Sequence, residues 1–232
     1  MEFVPGRAIR QLLNYGSVRH PSTLLRGLAG AGQFLRQVHA LEVLEPATID
    51  LRNDAQRVLA VAAEKLQPVG LALPEQVKRT LTEFPAVVVD SPQVLLHGDF
   101  GPGNTLLADD GSTVGLDPAL LTVGPPEDDL VRFIALMSGS VRFAPELVAP
   151  PAHSIRRKLE TQLLRSYYGE RPRPAVFELR YLHQLARRWL RSRELAQQSD
   201  PRFLSLRLRI ISAQMRLLMN ESERRLAAVI ES

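Results

Sequence analysis

The chain has no cysteine. That excludes disulfides, thiolate nucleophiles and cysteine-ligated metals, and it suits a reducing compartment. No apolar run approaches the roughly 18 residues of a membrane-spanning helix. The start, MEFVPGRAIRQLL, lacks the apolar core of a secretory leader. With no span and no leader, the expected location is cytoplasmic, with no membrane partner. Aromatics are only 6%, so leucine, valine and alanine must do most of the packing. There is no HExxH or similar histidine pair, which argues against zinc. There is no GxSxG elbow, which argues against that class of hydrolase. A glycine-rich phosphate loop with its lysine is also missing.

What is present is enough for a core. The 232 residues are 45% apolar, so global disorder is not expected. The net charge of +4 hides an asymmetry. Residues 1–150 hold 12 basic and 17 acidic side chains, and residues 151–220 hold 15 basic and 5 acidic. The second block is almost entirely arginine on helical segments. It reads first as a solvated helical face, then as an interface, and last as a nucleic-acid surface, because aromatics are not interleaved and no reader motif appears.

Hydrophobic periodicity predicts helices over 24–44, 48–66, 74–84, 127–137, 153–168, 175–197 and 202–219, with a last short piece ending near 230. Leu25, Leu28, Phe34, Leu35, Val38 and Leu41 form the stripe of the first, and Gly27, Gly30 and Gly32 permit close helix contact. Pro46 reads as the opening of the second. Between residues 93 and 116 the period changes. Gln93–Leu96, Thr105–Leu107 and Thr113–Leu116 are short, apolar or β-branched, and Asp109-Asp110-Gly111 is a turn. The expected architecture is mainly α with a small β-hairpin, Thr105–Leu107 against Val114–Leu116. Phe34, Phe133, Phe143 and Trp189 read as packing residues, and His39 as a core or support residue.

The segment Leu95 to Leu107, LLHGDFGPGNTLL, followed by Val114 to Pro118, VGLDP, has the layout of a phosphoryl-transfer site. Asp99 can align a substrate hydroxyl and accept its proton. Asn104 and Asp117 offer hard oxygens to a divalent ion such as magnesium. His97 reads as a support that packs under the loop and donates to backbone carbonyls. Asp129 starts a helix, where it can satisfy free amides or reach back to brace the loop.

These residues resemble the aminoglycoside phosphotransferase and choline kinase-like family of small-molecule kinases. The histidine-x-aspartate-x4-asparagine pattern is complete in His97 to Asn104, and Leu116-Asp117, Gly124-Pro125 and Asp129-Leu130 follow in the family's order. The resemblance implies Asp99 as base, His97 and Asp129 as supports, Asn104 and Asp117 as magnesium ligands, and ATP as donor. It extends to Gln33–Leu41 and to Met1–Gly6, which is similar to the strand joining the two lobes. Glu2 and Phe3 would then offer backbone groups to adenine. Residues 1–232 would correspond to the C-terminal lobe of a protein-kinase-like fold, with the N-terminal β-rich lobe missing and residues 95–130 as the catalytic and metal-binding segment.

Three functions follow. The first is an ATP-dependent phosphotransferase acting on a small-molecule hydroxyl, weak or inactive unless a longer chain or a partner supplies the other lobe. The second is a non-catalytic helical module that binds a small molecule or a protein, and the third a basic nucleic-acid-binding domain. The basic block favours a neutral or anionic acceptor over a polycation.

Overall fold

A computed structural model describes residues 5–15, 21–119, 122–140, 143, 154–171, 173–197 and 201–230. Its elements run β1 (Gly6–Ala8), α1 (Ile9–Tyr15), α2 (Pro21–His39), β2 (Val43–Asp50), α3 (Leu51–Val61), α4 (Glu75–Thr82), β3 (Val88–Leu95), β4 (Thr105–Ala108), β5 (Thr113–Gly115), β6 (Val123–Gly124), α5 (Glu127–Ser138), α6 (Ile155–Tyr168), α7 (Ala175–Gln197) and α8 (Pro201–Ile230). A π-helical turn over Ala62–Leu66 and a 3-10 turn over Gln67–Val69 follow α3. The architecture is mainly helical with two small sheets, ordered β1-β4-β5 and β2-β3-β6. The chain divides into two compact units, residues 1–47, 92–138 and 150–173, and residues 48–91, 139–149 and 174–232.

The first unit is organised around α2. Its buried stripe is Leu24, Gly27, Leu28, Ala31, Gly32, Leu35, Val38 and His39, at the spacing of one helical face. Leu25 and Phe34 are only half-buried, and Leu41 lies beyond the helix end and is exposed. α2 packs on α6 and on the hairpin. The glycines make the approach close. A Cβ on Gly32 would stand 2.5 Å from the Leu163 carbonyl oxygen of α6, and one on Gly30 2.7 Å from Thr113 Cβ of β5. The hairpin pairs Thr105 with Gly115, Leu106 with Val114 and Leu107 with Thr113. It is shifted by one residue from the expected Val114–Leu116 strand, and β1 adds a third strand through Arg7 opposite Leu107. Three strands with a helix across them can hold where an isolated hairpin would not.

The second unit packs α7 on α8, with α3 against α7 and α4 against α8. Phe177, Tyr181, Leu182, Leu185 and Trp189 of α7 are buried, as are Met215, Leu218, Met219 and Leu226 of α8. Phe133, Phe143 and Trp189 are core residues as expected. The arginine-rich block is not simply a solvated face. Glu178, buried on α7, accepts from Ser222 Oγ at 2.7 Å and Arg225 Nε at 2.9 Å on α8. Arg180 reaches buried Asp54 of α3 at 3.1 Å. Within the first unit, Arg156 and Arg173 both pair with buried Glu160. These guanidiniums spend their charge on carboxylates inside the protein, which leaves less for a nucleic-acid phosphate.

Several boundaries differ from the periodic reading. Pro46 lies inside β2, an edge strand of its sheet, where proline is tolerated. The second helix begins five residues later, because Asp50 caps it by accepting from Arg52 N at 2.9 Å. β3 starts at Val88 rather than Gln93, so residues 20–90 are less helical than expected. α8 runs without a break to Ile230 where two pieces were expected. α6 starts at Ile155, capped by Ser154 Oγ, which accepts from Arg157 N at 3.2 Å.

Candidate active site

β3 delivers the chain to a loop, Leu96 to Asn104, and every turn of that loop is tied down. Leu96 N donates to Thr122 O at 2.9 Å, Arg10 N to Pro102 O at 2.7 Å, and Asn104 N to Gly101 O at 3.0 Å. Thr105 Oγ1 also donates to Gly101 O, at 2.9 Å. Gly98 sits at φ +80°, a backbone region that other residues adopt only with strain. Under the loop, Phe100 is fully buried, stacked on Phe34 and in contact with Phe133 and the His97 ring. This aromatic cushion fixes the height of Asp99.

Asp129 braces the loop from below. Its Oδ2 accepts from His97 N at 2.7 Å and its Oδ1 from Gly98 N at 3.0 Å. The carboxylate therefore replaces the partners these two amides lost when β3 ended. His39 Nε2 stands 3.1 Å from Asp129 Oδ2, and His39 Nδ1 stands 2.8 Å from Tyr167 Oη. His39 is thus a support residue, and the chain of contacts links α5, α2 and α6. Beside it, buried Glu127 accepts from Tyr168 Oη at 3.0 Å. Burial pushes the Glu127 carboxyl above its ordinary range, and burial next to Glu127 pushes both tyrosines up.

His97 is fully buried. Its ring nitrogens, expected to donate to loop carbonyls, have no hydrogen-bond partner among the described residues. The ring serves as an aromatic face, edge-on to Phe34 and Phe100. Burial pushes its pKa below the ordinary 6.5. The unfolded chain then binds the proton more readily, so this contribution to stability is full above pH 6.5 and is lost as pH falls below it. His183 is shifted the same way. His97→Phe is therefore expected to flatten the acid limb of a stability–pH curve without abolishing it. Chemical denaturation across that range tests this, and an unchanged slope would refute the buried neutral imidazole.

Asp99 stands at the loop's outer turn with its side chain 47% exposed. Asn104 Nδ2 donates to Asp99 Oδ2 at 2.7 Å and to the Asp99 carbonyl at 3.0 Å. Arg132 Nη2 donates to Asp99 Oδ1. Both carboxylate oxygens are engaged, and the carboxylate is held in orientation from two sides. Arg132 escaped the sequence reading. Its signal was its place three residues after Asp129, on the same face of α5.

Asp117 is carried to the same loop by backbone alone. Leu116 N donates to Asn104 O at 2.8 Å and Ala119 N to His97 O at 2.9 Å. The intervening Asp117-Pro118 is clamped to both ends of the loop. Asp117 has φ 55°, the one non-glycine residue in the left-handed region among those described, a conformation aspartate tolerates better than most residues. Its carboxylate is exposed. The two adenine-contact residues proposed from the sequence, Glu2 and Phe3, lie outside the described residues.

The family model described as "Phosphotransferase enzyme family" matches residues 1–150, a span that contains the whole loop and Asp129. The chain belongs to that family. Among solved structures, it is similar to a glucosamine kinase (crystal form B), with a TM-score of 0.57 and 16% identity over 92% of this chain and 58% of that one. It is also similar to a glucosamine kinase in complex with glucosamine, ADP and inorganic phosphate, with a TM-score of 0.53 and 18% identity over 96% of this chain and 60% of that one. At such identities the likeness shows the fold, which is kinase-like. The chain spans about three-fifths of the length of these structures. Comparison with curated protein sequences gives no match. No described helix of this family member is long and apolar enough to cross a membrane.

Proposed function

We propose that this chain carries the base and metal side of an ATP-dependent phosphotransferase acting on a hydroxyl of a small molecule, in the manner of the aminoglycoside and choline kinase-like enzymes. The observation that carries the reading is the held carboxylate. Asp99 is oriented by Asn104 and Arg132 on a loop whose amides Asp129 fixes. A pre-oriented carboxylate aligns the attacking hydroxyl and takes its proton as the new phosphoester bond forms.

Magnesium fits the residues present. Asn104 uses its amide nitrogen on Asp99, which leaves its amide oxygen as an acceptor, and Asp117, one residue past the Leu116 whose N–H donates to the Asn104 carbonyl, carries an exposed carboxylate. Among the described residues there is no cluster of three or more histidine or carboxylate side chains ready for a metal. Two hard oxygens are what an ion needs from the protein when nucleotide phosphates and water complete its shell. Magnesium, when bound, would neutralise charge on the transferring phosphoryl group. In this reading the phosphate-covering loop and its lysine come from a longer chain or a partner polypeptide, and transfer by the 232 residues alone is weak.

The test is calorimetry with ADP and magnesium, paired with detection of phosphoester from labelled ATP and a panel of hydroxyl compounds. ADP binding is expected to require magnesium and to weaken about tenfold or more in Asp117→Asn, as loss of a charged ligand implies. Binding that is equally tight in chelator would remove the metal from the site. A chain with neither nucleotide binding nor transfer, even when supplied with the other lobe, would end the kinase reading.

A further inference from the structure

Arg132 has no part in the reaction as described beyond holding Asp99, yet its guanidinium sits directly on the carboxylate that would meet the hydroxyl. Its side chain is 39% exposed beside a carboxylate that is 47% exposed. One Nη2 hydrogen goes to Asp99 Oδ1, and its Nε is buried with no hydrogen-bond partner among the described residues. Asp99's other oxygen already belongs to Asn104. A lone carboxylate at this place would attract an ammonium on the carbon next to the reacting hydroxyl. The guanidinium cancels that attraction and offers the remaining hydrogens of a planar fork to oxygen atoms instead. His97, the other titratable side chain within the loop, is kept neutral by burial and adds no charge.

Several guanidiniums of the arginine-rich helices are paired with Asp54, Glu160 and Glu178. Arg132 acts at the site itself.

We propose that Arg132 sets the acceptor class of this site: a polyol or sugar acid carrying an oxygen, neutral or anionic, beside the reacting hydroxyl, and not an amino sugar. This rests on the phosphotransferase reading, and it separates this chain from the structurally similar protein solved with glucosamine bound.

The experiment is calorimetric titration of the 232-residue chain, with magnesium and ADP present, by D-glucose, D-gluconate and D-glucosamine at a pH where the amine is protonated. Glucose or gluconate is expected to bind at least tenfold more tightly than glucosamine. Arg132→Met is expected to move that ratio toward glucosamine by at least tenfold, and Arg132→Lys, which keeps the charge, to preserve the order. Melting curves establish that each variant folds, and Arg132→Gln carries the comparison if the methionine variant does not. Glucosamine binding as tightly as the other two, a ratio unmoved by loss of the guanidinium, or no binding of any of the three would overturn the proposal. Selective binding with no transfer from ATP, even when the other lobe is supplied, would sink the reaction and leave the selectivity standing. Transfer that prefers glucosamine would sink the selectivity alone.

Discussion

Asp129→Ala is expected to destabilise the chain by about 3–5 kcal/mol, the usual cost of removing one partner from a buried charged network. Asp129 is 2% exposed and meets three groups: His97 N, Gly98 N and His39 Nε2. Alanine leaves two amides without partners at a point where the strand ladder has already ended. It also leaves the His39 ring joined only to Tyr167. Each stranded donor carries its own desolvation cost, about 1–3 kcal/mol, so the loss should far exceed that of one surface ion pair. Asp129→Asn keeps one acceptor oxygen and should fall between alanine and the native residue. Tyr167→Phe removes only the outermost hydrogen bond and should cost about 1 kcal/mol. Urea denaturation followed by far-UV circular dichroism gives the order. A midpoint for Asp129→Ala within experimental error of the native chain would show that the loop stands without its brace.

The parts of this network differ in how visible they are in the sequence. Asp99, Asn104 and Asp117 stand out as candidates in the sequence because their residue types are concentrated in one short segment with fixed spacing. The hairpin could be found because Asp109-Asp110-Gly111 is a turn signal that needs nothing beyond its neighbours. His39, Tyr167 and Arg132 could not be assigned their partners. The roles of His39 and Tyr167 depend on α2, α5 and α6 meeting, across 90 and 128 residues, and that of Arg132 on α5 meeting the loop, so none leaves a trace in its own helix's periodicity. β1 was hidden for the same reason, since three residues become a strand only when β4 lies beside them. β2 was lost to a local conflict. Pro46 is a common helix opener, but it falls inside the strand Val43–Asp50, and the cap at Asp50 starts the helix later. The arginine block misled because composition counts charges and does not show which are spent. Glu160 lies inside the block and takes up Arg156 and Arg173, while Arg180 is taken up by Asp54, far upstream.

Asp99→Asn is expected to lower the rate of phosphoryl transfer about 10²–10⁴-fold, the range associated with loss of a positioned general base, while ADP affinity stays within a few fold. The substitution is close to isosteric. An amide at this position can still accept a hydrogen bond from Arg132 or Asn104, so the loop and its aromatic cushion have no reason to move. What disappears is the ability to take the proton from the acceptor hydroxyl, and an interaction needed mainly in the transition state lowers kcat more than it raises KM. Asn104→Ala should behave differently. It removes the 2.7 Å tether on Asp99 Oδ2 together with an oxygen assigned to magnesium, so both the rate and the magnesium dependence of ADP binding should suffer. The two variants thus separate a base from a metal ligand. Transfer from γ-labelled ATP, measured beside calorimetric ADP binding, reads both quantities. An Asp99→Asn chain that keeps its transfer rate would remove Asp99 from the chemistry, and one that loses rate only in proportion to lost ADP binding would make it a structural residue of the loop.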